Sequence, residues 1–401
     1  MLEFQDAQQR LADAAPPTER RESVALEQAR GRVLAEDLSA VLDLPPADNS
    51  AMDGYAIRLY DFAPGATLPV SQRIFAGDKP QPLTPGTAAR LFTGSLVPPG
   101  ADTVVMQEDV EASDAGIVIV RPPVAGQHVR KRGEDTSTGR LLLNQGTRLE
   151  AAHLALLASQ GLSHAQVFGR LRVGILTTGD ELVAPGQART EAQIFNSNAP
   201  MLSALVEGMG AELGPVLHAR DDEDDIRRAF ETLAGAADLI VSVGGVSVGE
   251  RDLVKPALQS LGAELDLWRV RMKPGKPVAL AHIGATPVVS LPGNPVSAFA
   301  VFTLLVTPLI RRMQGRAQVY PAIVQLALRT DTPRTDSREE FLRVRHTVAI
   351  GGSAELTPYV HQGSGVVSSL PWADGLARIP AGVPVYDGEK VEYYAFSHWL
   401  V

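Results

Sequence analysis

The sequence predicts a multidomain α/β protein: a parallel, doubly wound sheet domain, two small β-rich domains, and a helical and extended N-terminal segment. Three observations carry this. At 401 residues the chain is too long for one ordinary core. From Arg170 onward, continuously apolar strand patterns alternate with helical ones, which is how a parallel sheet covered on both faces reads. On either side of that stretch, short apolar runs are punctuated by proline and glycine.

Residues 1–38 read as helical: "SVALEQARGRVLAEDL" sets Val24, Leu26, Ala29, Val33 and Leu34 near a helical period, with Ser23 available as a cap. "DLPPADNSAMDGYAI" breaks that pattern with two prolines and an Asp-Asn-Ser turn. "AARLFTG", "DTVVMQEDV" and "GIVIVRPPV" then read as strands. "RKRGEDTSTGRLLLNQGTRL" is polar and turn-rich, and "EAAHLALLASQGL" is an apolar helix closed at Gly161. From Arg170 the order is strand "LRVGIL", helix "NAPMLSALVEGMG", strand "GPVLHA", and helix "DDEDDIRRAFETLAGA" with acids in its first turn, where the macrodipole favours them. Strand "ADLIVSVGG", helix "DLVKPALQSLG", strands "LDLWRVRM" and "PVVSL", and the long apolar helix "PVSAFAVFTLLVTPLIRRMQG" follow. From Tyr320 the β pattern returns in "AIVQLAL", "EFLRVRHTVA", "AELTPYV", "VPVYDG" and "KVEYYAF".

Composition excludes several classes of function. Hydrophobic content of 45% beside 21% charge is that of a soluble globular protein. No apolar run is expected to reach a membrane span. The first residues lack a basic region followed by an apolar core, so no secretory signal is read and the cytoplasm is the expected compartment. Without cysteine there are no disulfides, thiolate nucleophiles or thiolate metal sites. A net charge of −9 argues against general nucleic-acid binding, yet leaves room for a local cationic pocket.

Ligands of open parallel sheets bind beyond the carboxyl ends of the strands. Four segments fall there: "TTGDEL" (177–182), "HARDDEDD" (218–225), "GGVSVGERD" (244–252) and "SLPGNPVSAF" (290–299). Their glycines let backbone N–H groups approach an anion, and Ser242 and Ser247 add neutral donors. Asp180, Glu181, Asp221, Asp222, Glu250 and Asp252 only accept, which suits a divalent cation such as Mg²⁺ between acid and phosphate. "RVRMKPGKPVA" adds Arg269, Arg271, Lys273 and Lys276, stiffened by Pro274 and Pro277, as an anion clamp. Each item alone has a plain alternative: a turn, a helix cap for Asp221 or Asp222, a solvated loop. Their meeting at one sheet edge is what favours a site. No G-x-G-x-x-G follows the first strand and no P-loop occurs, which disfavours dinucleotide oxidoreductases and P-loop NTPases, and no H-E-x-x-H or comparable metal helix is present. Elsewhere, Asp48, Asn49, Ser50 and Asp53, Thr93 and Ser95, Glu134 and Asp135, the arginines 338, 343 and 345, and Ser364, Ser368 and Ser369 each read singly as a turn or a solvated face.

Taken in order and at their spacings, "DNSAMDGYA", "FTGS", "RGED", "TTGDEL", "SVGGVSVGERD", "MKPGKP" and "SLPGNPVSAF" resemble the molybdopterin molybdenumtransferase family, that of bacterial MoeA and the gephyrin and plant molybdenum-insertase E domains. The resemblance runs through essentially the whole chain. It implies a molybdopterin-binding sheet domain at 170–317, a discontinuous dimerisation domain at 1–46 with 130–169, an inserted β-rich domain at 47–129, and a C-terminal β domain at 318–401. It also implies a homodimer whose cleft joins the sheet domain of one subunit to the C-terminal domain of the other.

The implied activity is insertion of molybdenum from molybdate into adenylylated molybdopterin, with Mg²⁺-assisted release of AMP. Carried over by motif, catalytic roles are implied for Asp53, Thr93, Asp135, Glu181 and Asp252, with Glu181 and Asp252 on the metal. Substrate binding is implied for Asp221 or Asp222, Gly244, Gly245, Ser247, Gly249, Lys273, Lys276, Pro292, Asn294, Arg343 and Ser364. Arg251 departs from the family pattern and receives no role. The adenylyltransferase that makes the adenylylated pterin is a candidate partner; nucleic acid and membrane are not expected. Two other readings stay open. A molybdopterin adenylyltransferase is little more than the sheet domain, so chain length and "DNSAMDGYA" weigh against it. A non-catalytic molybdopterin-binding scaffold is opposed by the intact acidic set.

Overall fold

The computed structural model describes residues 1–245, 253–348, 352 and 354–401. The chain forms two compact units, one of Met1–Glu36, Gln145–Ala155 and Ser163–Val401, the other of Asp37–Asn144 and Leu156–Leu162.

The larger unit is built on a six-stranded sheet in the order Glu212–Ala219, Arg172–Thr178, Leu239–Val243, Thr286–Leu291, Pro277–Ile283, Leu265–Arg269. The first four strands are parallel, with helices Asn198–Gly208, Glu223–Ala234 and Val254–Ser260 connecting or following them, as the alternation predicts. The last two strands add by antiparallel pairing. Of these, "PVALAHI" reads in sequence as the tail of a basic loop. It is a strand because Val278–Ala281 are buried and Gly284 turns it back onto its neighbour.

Helix Pro295–Val301, the π turn Phe302–Val306 and helix Thr307–Met313 form one buried rod through the core. By length and composition this 19-residue stretch could cross a membrane, but its apolar window is 94% buried within the fold. This corrects the expectation that no apolar run is long enough. Pro308 has no N–H to offer the carbonyl four residues back, and Gln8 Nε2, from helix Phe4–Ala12, donates to that Leu304 oxygen at 2.7 Å.

A second correction concerns the N-terminal segment. Only Phe4–Ala12 is α-helical there. The expected helix from Ser23 is instead strand Arg21–Ala25, antiparallel to His164–Phe168, followed by a 3₁₀ turn at Leu26–Gln28. Leu26, Ala29, Val33 and Leu34 are still buried, so the periodic apolar residues found the core without a helix. The partner strand satisfies the backbone groups that helical bonds would have taken.

Residues beyond the rod form a closed barrel: Glu339–Val348, Ala354–Pro358, Val324–Leu328, Lys390–Ala395 and Gly375–Ile379 pair in that order, and the last returns to the first. "VPVYDG" makes only a bridge, Val385 to Arg334, while the unpredicted "GLARI" supplies a strand. The two-residue strand Met272–Lys273 leaves the sheet domain and pairs in parallel with Glu339–Glu340 on the barrel. A single apolar cluster runs from the sheet through the rod to Phe341, Leu376, Tyr394 and Trp399, with Phe4 set against Phe341 at 4.7 Å.

The smaller unit carries a four-stranded sheet, Val70–Ile74, Ala88–Leu91, Gly54–Ile57 and Thr103–Met106, and a three-stranded one, Thr67–Leu68, Gly116–Ile119 and Val110–Ser113. Buried Ala56, Ile74, Leu91 and Val104 form one core, and Ile57, Val105, Ile117 and Ile119 another.

Candidate functional site

Three adjacent parallel strands end side by side, since Thr177 is opposite Val243 and Val243 opposite Leu291. The turns that follow, at Thr178–Gly179, Gly244–Gly245 and Pro292–Gly293–Asn294, form one wall of a cavity of about 670 Å³. Gly244 must be glycine: its φ is +101°, and a Cβ there would lie 2.6 Å from Thr178 Oγ1. Asn198 Nδ2 holds the third turn by donating to Gly293 O at 2.8 Å. Asn294 precedes Pro295 at the start of the rod, so that helix directs its N-terminal end at the cavity, where anions are favoured.

The clamp supplies the second wall through Lys273, Pro274, Gly275, Lys276 and Pro277. Gly275 has φ +104°, and a Cβ would meet Val301 Cγ2 at 2.4 Å, so only glycine passes the rod here. The two lysines are not equivalent. Lys273 Nζ sits 2.9 Å from both Asp336 Oδ2 and Glu340 Oε1. Those two hydrogen bonds, Asp336's first, raise the Lys273 pKa. Its charge is spent tying clamp to barrel. Lys276 is exposed and has no partner among the described residues, so it is the free cation of the pair.

The barrel contributes the third wall, Arg338 with Gln362, Gly363 and Ser364. Arg338 backs onto the clamp, with Nη1 3.4 Å from Met272 O. Arg343 stands behind this wall. It is 1% exposed, and its guanidinium donates to Gln362 O, His361 O, Gly363 O and Ser369 Oγ at 3.0–3.1 Å. Arg343, expected as a substrate ligand, is not part of this lining; four of its N–H bonds go to Ser369 and the 361–363 carbonyls, where they shape the 361–364 loop. Arg338, read in sequence as a solvated face, is the arginine that lines the cavity among the described residues.

Acids complete the lining with Glu181 and Asp221. Asp221 and Asp180 face each other across two strand ends, each backbone N–H reaching the other's carboxylate at 3.3–3.4 Å. Asp222 instead caps helix Glu223–Ala234 by accepting from Asp225 N at 2.9 Å, and of the pair it is Asp221 that lines the cavity. Ser242, expected as a donor, is fully buried and bonded to Ser290 at 2.6 Å. Ser247, Gly249 and Asp252, with Glu250 and Arg251, lie outside the described residues. Among the described residues no group of three acids or histidines is arranged to hold a metal.

In the smaller unit, Asp53 Oδ1 accepts from Thr93 N at 2.7 Å and from Thr93 Oγ1 at 2.8 Å. These two bonds, the backbone one first, lower the Asp53 pKa. Asp135 is exposed, and Ser50 and Ser95 are buried in turn contacts to Met52 O and Phe92 O.

Within the one chain, residues of both the sheet domain and the barrel line this cavity. The shared ladder at Met272–Lys273 accounts for that proximity.

Three family descriptions match the chain in sequence: "MoeA N-terminal region (domain I and II)" at residues 2–161, "Probable molybdopterin binding domain" at 174–312, and "MoeA C-terminal region (domain IV)" at 325–396. Similar curated proteins include the molybdopterin molybdenumtransferase of Haemophilus influenzae, 36% identical over 408 residues and covering 100% of both chains. That of Nostoc sp. is 36% identical over 90% of this chain and 85% of its own. The crystal structure of the molybdopterin biosynthesis MoeA protein from Pyrococcus horikosii superposes with a TM-score of 0.83 at 32% identity, covering 100% of both chains.

Proposed function

The chain belongs to the MoeA family of molybdopterin molybdenumtransferases, and from that premise we propose that its cavity holds adenylylated molybdopterin while molybdenum from molybdate is inserted and AMP is released. As an enzyme of molybdenum cofactor biosynthesis it is a transferase. The observation that carries the reading is one cavity in which a helix N-terminus, three glycine-containing turns, Lys276 and Arg338 face Glu181 and Asp221.

Each wall has a task in that reading. The turns and the start of the rod present N–H groups to the pterin's phosphates. Lys276 and Arg338 take oxyanion oxygens by charge-assisted bonds. Ser364 adds a hydroxyl whose position depends on Arg343. Asp53, bonded to Thr93 with its pKa lowered, and the exposed Asp135 are the acids of the smaller unit to which the family reading assigns a part in the reaction. Mg²⁺ fits the donor chemistry, because it commonly takes one or two carboxylates and fills its shell with water and phosphate oxygens. Glu181 and Asp252 would hold it, and bound there it would neutralise phosphoanhydride charge. Positioning and charge neutralisation supply most of the catalysis, and no protein nucleophile is needed for cleavage of the P–O bond.

The reading brings further proposals. They are the division at 1–46 with 130–169, 47–129, 170–317 and 318–401, assembly as a homodimer, a cytoplasmic setting, and delivery of the pterin by its adenylyltransferase. The test is AMP release from adenylylated molybdopterin with molybdate and Mg²⁺. Release that needs no molybdate would remove the transferase assignment, and full release in EDTA would remove the metal.

A further inference from the structure

A side pocket of about 320 Å³ opens off the first cavity, with which it shares Thr178, Glu181, Gly244, Gly293 and Asn294. Its outer wall is a short arm of the chain. Strand Ile194–Phe195 stands apart from the six-stranded sheet and pairs in parallel with Leu182–Val183 in a ladder of its own. That arm leaves Ile194 and Phe195 open, at 57% and 45% exposure, and both line the pocket. Leu182, Val243 and Pro295 are its other apolar groups. Large apolar side chains left open beside a polar cavity point to a ligand that covers them. Arg189 lies 5.8 Å from the Phe195 ring centroid, a cation–π contact that steadies the ring.

Two polar groups in this lining lack partners. Thr178 is 6% exposed, and its hydroxyl makes no hydrogen bond among the described residues. Asn198 is also 6% exposed. Its Nδ2 is used on Gly293 O, which fixes the orientation of the amide, and its Oδ1 is buried with no donor among the described residues. An acceptor buried in this way is costly until something supplies an N–H or O–H.

The side pocket thus sets two free oxygens among apolar walls. A phosphate only accepts and gains little there. A flat ring that carries N–H donors on its edge meets both features, which is the usual make-up of a small-molecule site. An adenylylated pterin has two such rings. Adenine has one amino group, flanked by ring acceptors. The pyrimidinone edge of a pterin sets its 2-amino group beside a ring N–H, so it can serve two neighbouring acceptors.

We propose that this side pocket seats the bicyclic pterin ring, its amino and N–H edge on Asn198 Oδ1 and Thr178 Oγ1 and its face on Phe195. The inference rests on the reading of the first cavity as a site for adenylylated molybdopterin. It makes Asn198, Thr178 and Phe195 the residues that select the ring, while the glycine turns and Lys276 take the oxyanions.

The test is a fluorescence titration of pterin itself, the bicycle with neither side chain nor phosphate, against the full chain. One saturable site per chain is expected. Phe195→Ala should weaken it roughly tenfold, the scale of one ring-on-aromatic contact. Thr178→Val keeps the side-chain shape, removes the hydroxyl and should weaken it about fivefold. If Thr178→Val unfolds, the exposed Phe195 position decides. Absence of saturable binding, unchanged affinity in Phe195→Ala, or adenosine occupying the pocket at a lower concentration than pterin overturns the proposal. Pterin binding that Phe195→Ala weakens, in a chain that releases no AMP with molybdate, keeps this pocket and removes the transferase reading. Molybdate-dependent AMP release whose KM for the pterin substrate is untouched by Phe195→Ala keeps that reading and removes this pocket.

Discussion

Alanine at the two clamp lysines should give opposite phenotypes. Lys273 makes two charge-assisted bonds, to Asp336 and Glu340, and Glu340's side chain is 8% exposed. Each such bond is nominally worth about 1.5–3 kcal/mol. Lys273 itself is 37% exposed, so solvent screening discounts the pair to about 1–3 kcal/mol in total. Part of that loss arises because Glu340 keeps its buried charge without the ammonium. Lys273→Ala should therefore lower the unfolding free energy extrapolated from urea titration by that amount. Among the described residues Lys276 has no partner to lose, so Lys276→Ala should change stability by no more than about 0.5 kcal/mol. Its effect should fall on molybdate-dependent AMP release, where the half-saturating molybdate concentration should rise roughly tenfold to a hundredfold, one charged hydrogen bond's worth. Both variants would be assayed by urea titration followed by tryptophan fluorescence, and by AMP release across a molybdate series. Lys276→Ala that unfolds early with normal molybdate response, or Lys273→Ala of full stability with lost response, would refute the division of labour.

Arg343→Met should leave the barrel folded but loosen the 361–364 loop. Limited proteolysis should cut there first, and KM for the pterin should rise more than kcat falls; an intact loop with normal KM would sink the positioning role. Gln8→Leu removes the donor to Leu304 O and should cost about 1 kcal/mol in urea unfolding, whereas Gln8→Glu offers no donor either and should cost at least as much. Thr93→Val removes one of two bonds to Asp53, so the Asp53 pKa, followed by NMR, should rise toward 3.8 yet stay below it because Thr93 N remains. Asp336 titrates low: burial works against it, but the Lys273 bond and Arg338 N outweigh burial. Its contribution to stability is thus complete above 3.8 and lost as pH falls through the lower folded value. Lys273→Met should flatten the acid limb of the stability profile below that pH, and an unchanged limb would contradict the bridge.

Where local chemistry decided the outcome, the sequence could be read. The parallel strands, their glycine turns and the helix start at Pro295 followed from apolar runs and punctuation, and the same motifs located most of the cavity's lining. What could not be read depended on partners distant in the chain. Lys273 and Lys276 look alike in "KPGKP"; Asp336 and Glu340, more than sixty residues on, separate them. Leu342 and Val344 are fully buried on one face of their strand, and Arg343 alternates with them onto the face of Phe341, also fully buried; apolar residues on both faces could have signalled a buried arginine. Arg338 stands just before the strand begins, where a side chain remains free to reach a cavity. The misread helix after Ser23 has a genuine helical period, but a strand at 164–168 competed for its backbone. Asp221 and Asp222 were both plausible caps, and only the backbone angle at Asp222 settled which one turns inward to Asp225.

The short ladder at Met272–Lys273 also limits how the first cavity can breathe. Besides the two register pairs, Glu339 N donates to Arg271 O at 3.1 Å. Sheet domain and barrel therefore meet along a seam that resists shear. Swinging the barrel away as a rigid jaw would tear this seam and the Lys273 bridges at the same stroke. In the proposed reading, a ligand as large as a nucleotide-linked pterin would enter by displacing the 361–364 loop, for which Arg343, bonded to three of its carbonyls, would be the latch. Residence time of the product should then track how firmly that latch holds, independently of the chemical step.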